Sequence, residues 1–337
     1  MLILGIESSC DECAASVVED GQCILSDVVA TQIPFHAKYQ GVVPEIASRK
    51  HTEWVYGVVE KGLKDAGLEP KDIDGVAVTA RPGLVGSLLV GLSFAKAMAY
   101  GIGKPFIGVN HIYAHLYASQ LTAPIAYPFL GLLVSGGHSI ICRVLDFDTI
   151  EVLGTTIDDA VGEAFDKVSK FYGFGYPGGQ IIDELARKGD PKAFHFPKPD
   201  LKKGEHSYDV SYSGLKTAVI HQIDQYKRPG AEKTPENIAA SFEKAAIDIL
   251  LERLLKAADD TGLKTIVAGG GVAANSYLRA RLAERSDLEV HFPPLKLCGD
   301  NGAMVAGVGY RYLMAGKTSG LDMNVSARVP LFRRIGR

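Results

Sequence analysis

The sequence predicts an α/β protein of two lobes built on one repeated plan, and three observations predict it. Short β-prone runs alternate with apolar residues at helical spacing. The order of these segments in residues 2–110 returns in residues 129–292. Gly- or Ser-rich turns then fall at matching places in the two halves. The repeated unit reads as three strands, helix, strand, helix and strand. The lobes are expected over residues 1–110 and 111–325, the second with an insert at about 173–233, followed by a tail over 326–337.

Each element has its own signal. Residues 2–8 are apolar and β-prone, S-S-C-D-E turns, and A-A-S-V-V (14–18) and residues 23–31 complete a three-stranded meander. Ile46, Trp54, Val55, Val58, Val59 and Leu63 then recur at helical spacing over 45–66 and stop at Gly67. A strand at 75–79, a Gly turn, a helix at about 84–101 and the strand F-I-G-V-N (106–110) close the first half. In the second half, strands are expected within 129–138, at 140–145 and at 150–155. A helix over 157–172 follows, with the stripe Ile157, Ala160, Val161, Ala164, Phe165 and Val168. T-I-V-A-G-G-G-V-A-A-N (265–275) gives strand and turn, then come a helix to about 285 and a strand at 289–292. This duplicated βββαβα plan is that of the two-lobed actin-like fold (ASKHA: actin, Hsp70, sugar kinases), although the periodicity also describes two generic α/β lobes. In an actin-like arrangement the ligand is expected in the crevice between lobes, met by turns at the carboxyl ends of strands.

Composition narrows the setting rather than the substrate. The 337 residues are 47% hydrophobic and 22% charged with a formal net charge of −3, an ordinary globular composition. Nucleic-acid binding would therefore need a local patch or a partner. The start, M-L-I-L-G-I-E, reads as a strand rather than a signal peptide. No apolar run is expected to reach the roughly 18–20 residues of a membrane span. Five cysteines form no disulfide framework, which points to a reducing, cytoplasmic setting. The lone C-x-x-C at Cys10 and Cys13 cannot complete a four-sulfur zinc site and reads as reduced thiols in a tight turn.

Four turns are suited to phosphate: E-S-S-C-D-E (7–12), P-G-L-V-G (82–86), S-G-G-H (135–138) and A-G-G-G-V-A-A-N (268–275). Glycine lets backbone N–H groups approach an anion, and a helix expected after Gly271 would add its dipole. Neither a P-loop lysine motif nor a G-x-G-x-x-G after the first strand is present. The acidic candidates are Asp11, Asp158, Asp159, Glu163, Asp166, Asp183 and Asp300. Asp158 and Asp159 are expected in the first turn of a helix, where the dipole accounts for them. Asp300, in C-G-D-N-G-A-M, reads either as a helix N-cap or as a metal ligand. In N-H-I-Y-A-H (110–115), His111 and His115 stand four apart and share one helix face. They read as a metal-binding pair or as two core histidines beside Tyr113 and Tyr117. A zincin requires H-E-x-x-H with glutamate as general base, and Ile112 occupies that position, so a metallopeptidase is disfavoured.

The chain carries, in order, E-S-S-C-D-E, G-V-V-P-E-I-A-S-R, P-G-L-V-G-S-L-L-V-G, N-H-I-Y-A-H, L-L-V-S-G-G-H, D-D-A-V-G-E-A-F-D-K, Y-P-G-G, S-Y-S-G-L-K-T, A-G-G-G-V-A-A-N and D-N-G-A-M. This set resembles the TsaD (Gcp, YgjD) family of tRNA threonylcarbamoyladenosine synthesis. The resemblance implies an actin-like fold and a transfer of the threonylcarbamoyl group from threonylcarbamoyl-AMP to N6 of adenosine 37 in tRNAs reading A-starting codons. By motif, it implies His111, His115 and Asp300 as ligands of Fe(II), or zinc; a Lewis-acid role is the chemistry expected of that metal. The resemblance implies adenylate contacts from Val134, Ser135, Gly136, Gly137, His138, Asp166, Gly179, Asp183 and Asn275, with Asp11 at the first phosphate loop; on chemical grounds His138 is also a candidate proton shuttle. It also implies a smaller TsaB-type actin-like paralogue and a TsaE-type P-loop ATPase as partners. Arg81 and Tyr113 depart from the family pattern, standing where many relatives carry Gly and some carry Glu. Candidate tRNA phosphate contacts are Lys198, Lys202, Lys203, Arg328, Arg333 and Arg334. The alternative classes are an ATP-dependent small-molecule kinase, which has no use for the histidine pair, and a non-catalytic nucleotide-binding scaffold, which would tolerate its loss.

Overall fold

The structure, a computed structural model, describes residues 1–199, 201 and 206–328. In chain order the elements are β1 (Leu2–Glu7), β2 (Glu12–Glu19), β3 (Cys23–Thr31), α1 (Ile33–His36), α2 (Pro44–Asp65), β4 (Gly75–Arg81), α3 (Val85–Ile102), β5 (Phe106–Asn110) and α4 (His111–Tyr117). Then come β6 (Phe129–Val134), β7 (Ser139–Asp146), β8 (Thr149–Thr155), α5 (Val161–Tyr172), α6 (Gly178–Ala186), α7 (Ser213–His221), α8 (Pro235–Thr261), β9 (Thr265–Gly269), α9 (Ser276–Ala283), β10 (Glu289–His291) and α10 (Gly302–Met314). One sheet runs β3-β2-β1-β4-β5 and the other β10-β9-β6-β7-β8, which is the same order read from its opposite edge. In each, the three meander strands pair antiparallel, and the two later strands run parallel to the first. The duplication read from the sequence is thus a duplication of topology.

The chain packs as two compact units, Met1–Ala126 with the described residues from Pro293 on, and Tyr127–Phe292. The division is therefore not at residue 110. α4 follows β5 without a break, and α10 returns from the far end of the chain to lie on β1, β2 and β4. That return is close. A Cβ on Gly5 would stand 2.1 Å from the Gly302 carbonyl oxygen, and one on Gly302 would stand 2.6 Å from the Ser16 amide nitrogen. Met304, Val305, Ala306 and Val308 bury there with Ile3, Ala77 and Val109, each large apolar side chain contributing about 1.5–3 kcal/mol. On the opposite face of the sheet, α2 and α3 cover Leu4, Ile6, Val17, Val76 and Val78.

Three expectations change. α5 begins at Val161, not 157, so Asp158 and Asp159 lie in the loop before it and Ile157 is 47% exposed. Asp158 instead accepts from the Tyr212 amide at 2.8 Å, and Asp159 pairs with Lys167 at 2.7 Å and with Lys216. After Gly270 the chain makes a 3-10 turn, Gly271–Ala274, and the α-helix starts only at Ser276. Finally, α3 is long and apolar enough to cross a membrane by length and composition. Its Leu92, Ala95 and Ala99 belong to the core beneath α2, while Val85, Leu89 and Tyr100 are exposed.

The 27-residue α8, left unassigned by the sequence reading, is the principal helix of the second unit. Thr234 caps it by accepting from Asn237 N, and Pro235 occupies its first turn. Its apolar residues are buried around more than one face, so they form no single stripe. Phe242 stacks obliquely on Phe165 of α5 with ring centroids 5.0 Å apart.

Candidate metal centre and nucleotide-binding turns

In the first unit, Asn110 ends β5 and starts α4, its side chain accepting from the Ile112 amide. That cap fixes the first turn, and the four-residue spacing sets both imidazoles on one face, edge to face with centroids 4.5 Å apart. His115 Nε2 lies 3.1 Å from His111 Nε2 and 3.0 Å from Asp300 Oδ1, and His111 Nε2 lies 3.6 Å from the same oxygen. Asp300 is not the cap of α10. Asn301 takes that position and accepts from Met304 N, leaving the Asp300 carboxylate turned toward the histidines.

These three side chains each offer one ligand atom, all within 4.8 Å of one another. At ligand bond lengths of about 2.1 Å, donor atoms stand about 3.0 Å apart at right angles and about 3.4 Å apart in a tetrahedron. The observed 3.0, 3.1 and 3.6 Å span that range. Two imidazoles and one carboxylate suit a metal that keeps open positions for chemistry. The donor set fits Fe(II) or zinc.

The electrostatics are those of a cation site. Burial disfavours charge on His111, but the carboxylates of Asp300 and Glu7 outweigh it and push the ring up to about 9. His115, buried and facing that cation, is pushed down. Burial opposes ionisation of Glu7, yet the charge and hydrogen bond of His111 hold it below the ordinary carboxylate range. Glu12, opening β2, is pushed up to about 9 by burial and by the negative charges of Asp300 and Asp11. Asp11 itself lies in the β1–β2 turn, nearly buried, its carbonyl accepting from Gln32 N. Burial also raises the thiols, Cys10 strongly and Cys13 to about 12. Neither forms a disulfide, and among the described residues neither belongs to the group that could hold a metal ion.

In the second unit the β6–β7 turn is closed on itself, Ser135 N donating to the His138 carbonyl at 2.8 Å and His138 N donating to Ser135 Oγ at 3.2 Å. Gly136 and Gly137 are exposed, with open space where a Cβ would stand, and Gly179 at the start of α6 is equally open. Gly270, with φ of +90°, brings β9 against the end of β6, where a Cβ would meet the Val134 carbonyl oxygen at 2.3 Å. Asp166 accepts from the Gly178 amide at the head of α6. Asp183 Oδ1 accepts from Ser276 N at 2.8 Å, Ser276 Oγ at 2.7 Å and Asn275 Nδ2 at 3.2 Å, while its other oxygen pairs with Arg187. Asn275 caps α9 through Leu278 N and donates to Glu243 at 2.6 Å. The structure therefore gathers Asp183, Asn275 and the two glycine turns in this unit, as His111, His115 and Asp300 are gathered in the other, whose β1–β2 turn carries Asp11.

A family model described as tRNA N6-adenosine threonylcarbamoyltransferase (TsaD) matches residues 23–307. The chain belongs to the TsaD family. It is 66% identical to the Treponema denticola tRNA N6-adenosine threonylcarbamoyltransferase over 337 residues, the full length of both. It is 54% identical to the Treponema pallidum (strain Nichols) protein of that name, over all of this chain and 96% of the relative. Among solved structures it is similar to T.kodakarensis HypF (TM-score 0.62, 17% identity, 93% of this chain and 48% of that one). It is also similar to component A of the Acidaminococcus fermentans (R)-2-hydroxyglutaryl-CoA dehydratase (TM-score 0.55, 15% identity, 93% and 99%). These likenesses establish the actin-like fold, and TsaD membership places the chain among transferases that modify tRNA.

Two residues beside these groups escaped the sequence reading. Glu7 was passed over as part of a turn, although an acidic residue ending the apolar run L-I-L-G-I calls for a partner. Glu243 sits inside α8, where no motif marks it. Of the basic candidates, Lys198 pairs with Glu252 at 3.0 Å and Arg328 is exposed. Lys202, Lys203, Arg333 and Arg334 lie outside the described residues.

Proposed function

We propose that this chain transfers the threonylcarbamoyl group from threonylcarbamoyl-AMP to N6 of adenosine 37 in tRNAs reading codons that begin with A. The observation that carries this reading is the convergence of His111, His115 and Asp300 in a TsaD-family chain that lacks the zincin glutamate. These three residues would hold one Fe(II), or zinc, ion, which when bound supplies Lewis acidity toward a donor oxygen. The adenine N6 amine is a weak nucleophile because its lone pair is delocalised into the ring. A mixed-anhydride donor compensates, and no serine or cysteine nucleophile is needed.

The residues of the second unit bind and orient the donor in this reading. Backbone N–H groups at Ser135–Gly137 and Gly270–Gly271 would receive its phosphate. Asp166, Asp183 and Asn275 would hold its polar groups, and His138 would carry the proton leaving N6. Asp11 would border the phosphate in the first unit. A TsaB-type paralogue and a TsaE-type P-loop ATPase are the expected partners, and the setting is cytoplasmic. The test is to incubate the chain and its partners with threonine, bicarbonate, ATP and unmodified tRNA, then analyse the nucleosides by mass spectrometry. A threonylcarbamoylated adenosine is expected with the parent and its loss with His111→Ala; full activity in a metal-free His111→Ala protein would refute the metal's role.

A further inference from the structure

Glu7 ends β1, the central strand of the first sheet, flanked by β2 and β4. Its side chain is wholly buried. An isolated carboxylate there would be costly, and such groups persist only when hydrogen-bonded or paired. Three donors meet it. Ser9 N donates to Oε1 at 2.6 Å, Thr79 Oγ1 to Oε2 at 2.6 Å, and His111 Nδ1 stands 3.0 Å from Oε2. Both carboxylate oxygens are thus committed to positions set by β4 and by the turn after β1.

An ionised carboxylate only accepts. The His111 Nδ1 facing it must therefore donate, so Nε2, beside Asp300 and His115, is the ring nitrogen that would bind a metal after giving up its own proton. The two histidines differ in this respect, because the buried Nδ1 of His115 has no hydrogen-bond partner among the described residues. One imidazole is aimed from behind by a carboxylate fixed in the sheet, and the other has only its Nε2 contacts and its packing in α4.

We infer that Glu7 is a positioning residue of the metal centre, fixing the tautomer and ring orientation of His111 and raising its basicity as a ligand, with Thr79 and Ser9 holding Glu7 in turn. A carboxylate behind a ligating imidazole is a general device of metal sites, and its loss lowers metal affinity by about 10–100-fold. This inference rests on the metal reading of His111, His115 and Asp300, and it assigns Glu7 no contact with substrate.

The experiment strips the full-length chain of metal and titrates it with Co²⁺ alone, reading the visible ligand-field absorption. The parent should bind and develop that spectrum. Glu7→Gln places an amide among donors that need an acceptor, so it should bind about 10–100-fold more weakly with an altered spectrum. Thr79→Val removes one hydrogen bond to Glu7 without touching His111. It should weaken binding in the same direction by less than Glu7→Gln does, and it keeps the test open if Glu7→Gln does not fold. Variants that bind Co²⁺ with the parent's affinity and spectrum would overturn the role of Glu7 alone. A parent that binds no Co²⁺ would overturn the metal reading beneath it.

Discussion

Replacing Glu243 by Gln is predicted to stabilise the chain at neutral pH and to leave its stability unchanged near pH 4.5. Burial lifts the Glu243 carboxyl from its ordinary value of 4.5 to about 8, opposed by the hydrogen bond from Asn275 and reinforced by the charge of Asp183. The folded chain then keeps a proton that the unfolded chain loses above pH 4.5, so stability falls as pH rises from 4.5 to about 8 and is flat beyond. At about 1.4 kcal/mol per pH unit the loss is roughly 3 kcal/mol at pH 7 and about 5 kcal/mol above pH 8. Glutamine keeps the acceptor for Asn275 Nδ2 and turns an N–H toward Asp183, as the protonated acid does, but cannot ionise. Urea unfolding at pH 4.5, 7 and 8.5 is the assay, followed by circular dichroism because the single tryptophan, Trp54, lies in the other unit. The variant should gain on the parent as pH rises. Parallel stability profiles for the two proteins would refute a neutral Glu243 beneath Asn275.

Gly302→Ala would force a Cβ to within 2.6 Å of the Ser16 amide and 2.8 Å of the Gly5 carbonyl. Overpacking against backbone should cost about 1–3 kcal/mol, and the shift of α10 should move Asp300 and lower zinc content by elemental analysis; a parent-like melting temperature and zinc content would contradict this. Asp183→Ala removes the acceptor shared by Ser276 N, Ser276 Oγ and Asn275. Calorimetry with AMP should show at least a tenfold weaker affinity than the parent, and equal affinity would remove Asp183 from the nucleotide site.

Much of this was legible because the hydrophobic pattern and the turns agree. The meanders, the parallel strands and the glycine turns follow from short apolar, β-prone runs punctuated by Gly, and His111 and His115 from a spacing that helix geometry enforces. The rest depends on contacts distant in sequence. Nothing near residue 300 reveals that α10 folds back onto β1, so the unit boundary and the meeting of Asp300 with the histidines were invisible to periodicity. Asp158 and Asp159 read as helix-dipole residues because apolar Ile157 and Ala160 extend the stripe, whereas their hydrogen bonds and ion pairs to Tyr212 and Lys216 hold them outside the helix. α8 was missed because most of its surface is buried and its polar stripe, Lys244, Asp248, Glu252, Lys256 and Asp260, is narrow. Glu7 carried a readable signal, an acid closing a buried strand.

A metal-dependent transfer from an adenylate by this chain itself is the step to measure. Its most direct measurement supplies threonylcarbamoyl-AMP and unmodified tRNA, without ATP, to the chain and its paralogue after metal removal, and then restores Fe(II) or zinc. The account predicts that AMP release and N6-threonylcarbamoyladenosine rise together in proportion to metal bound, and that neither appears with Asp300→Ala. Full modification by the metal-free protein, or modification only when ATP is added, would contradict it.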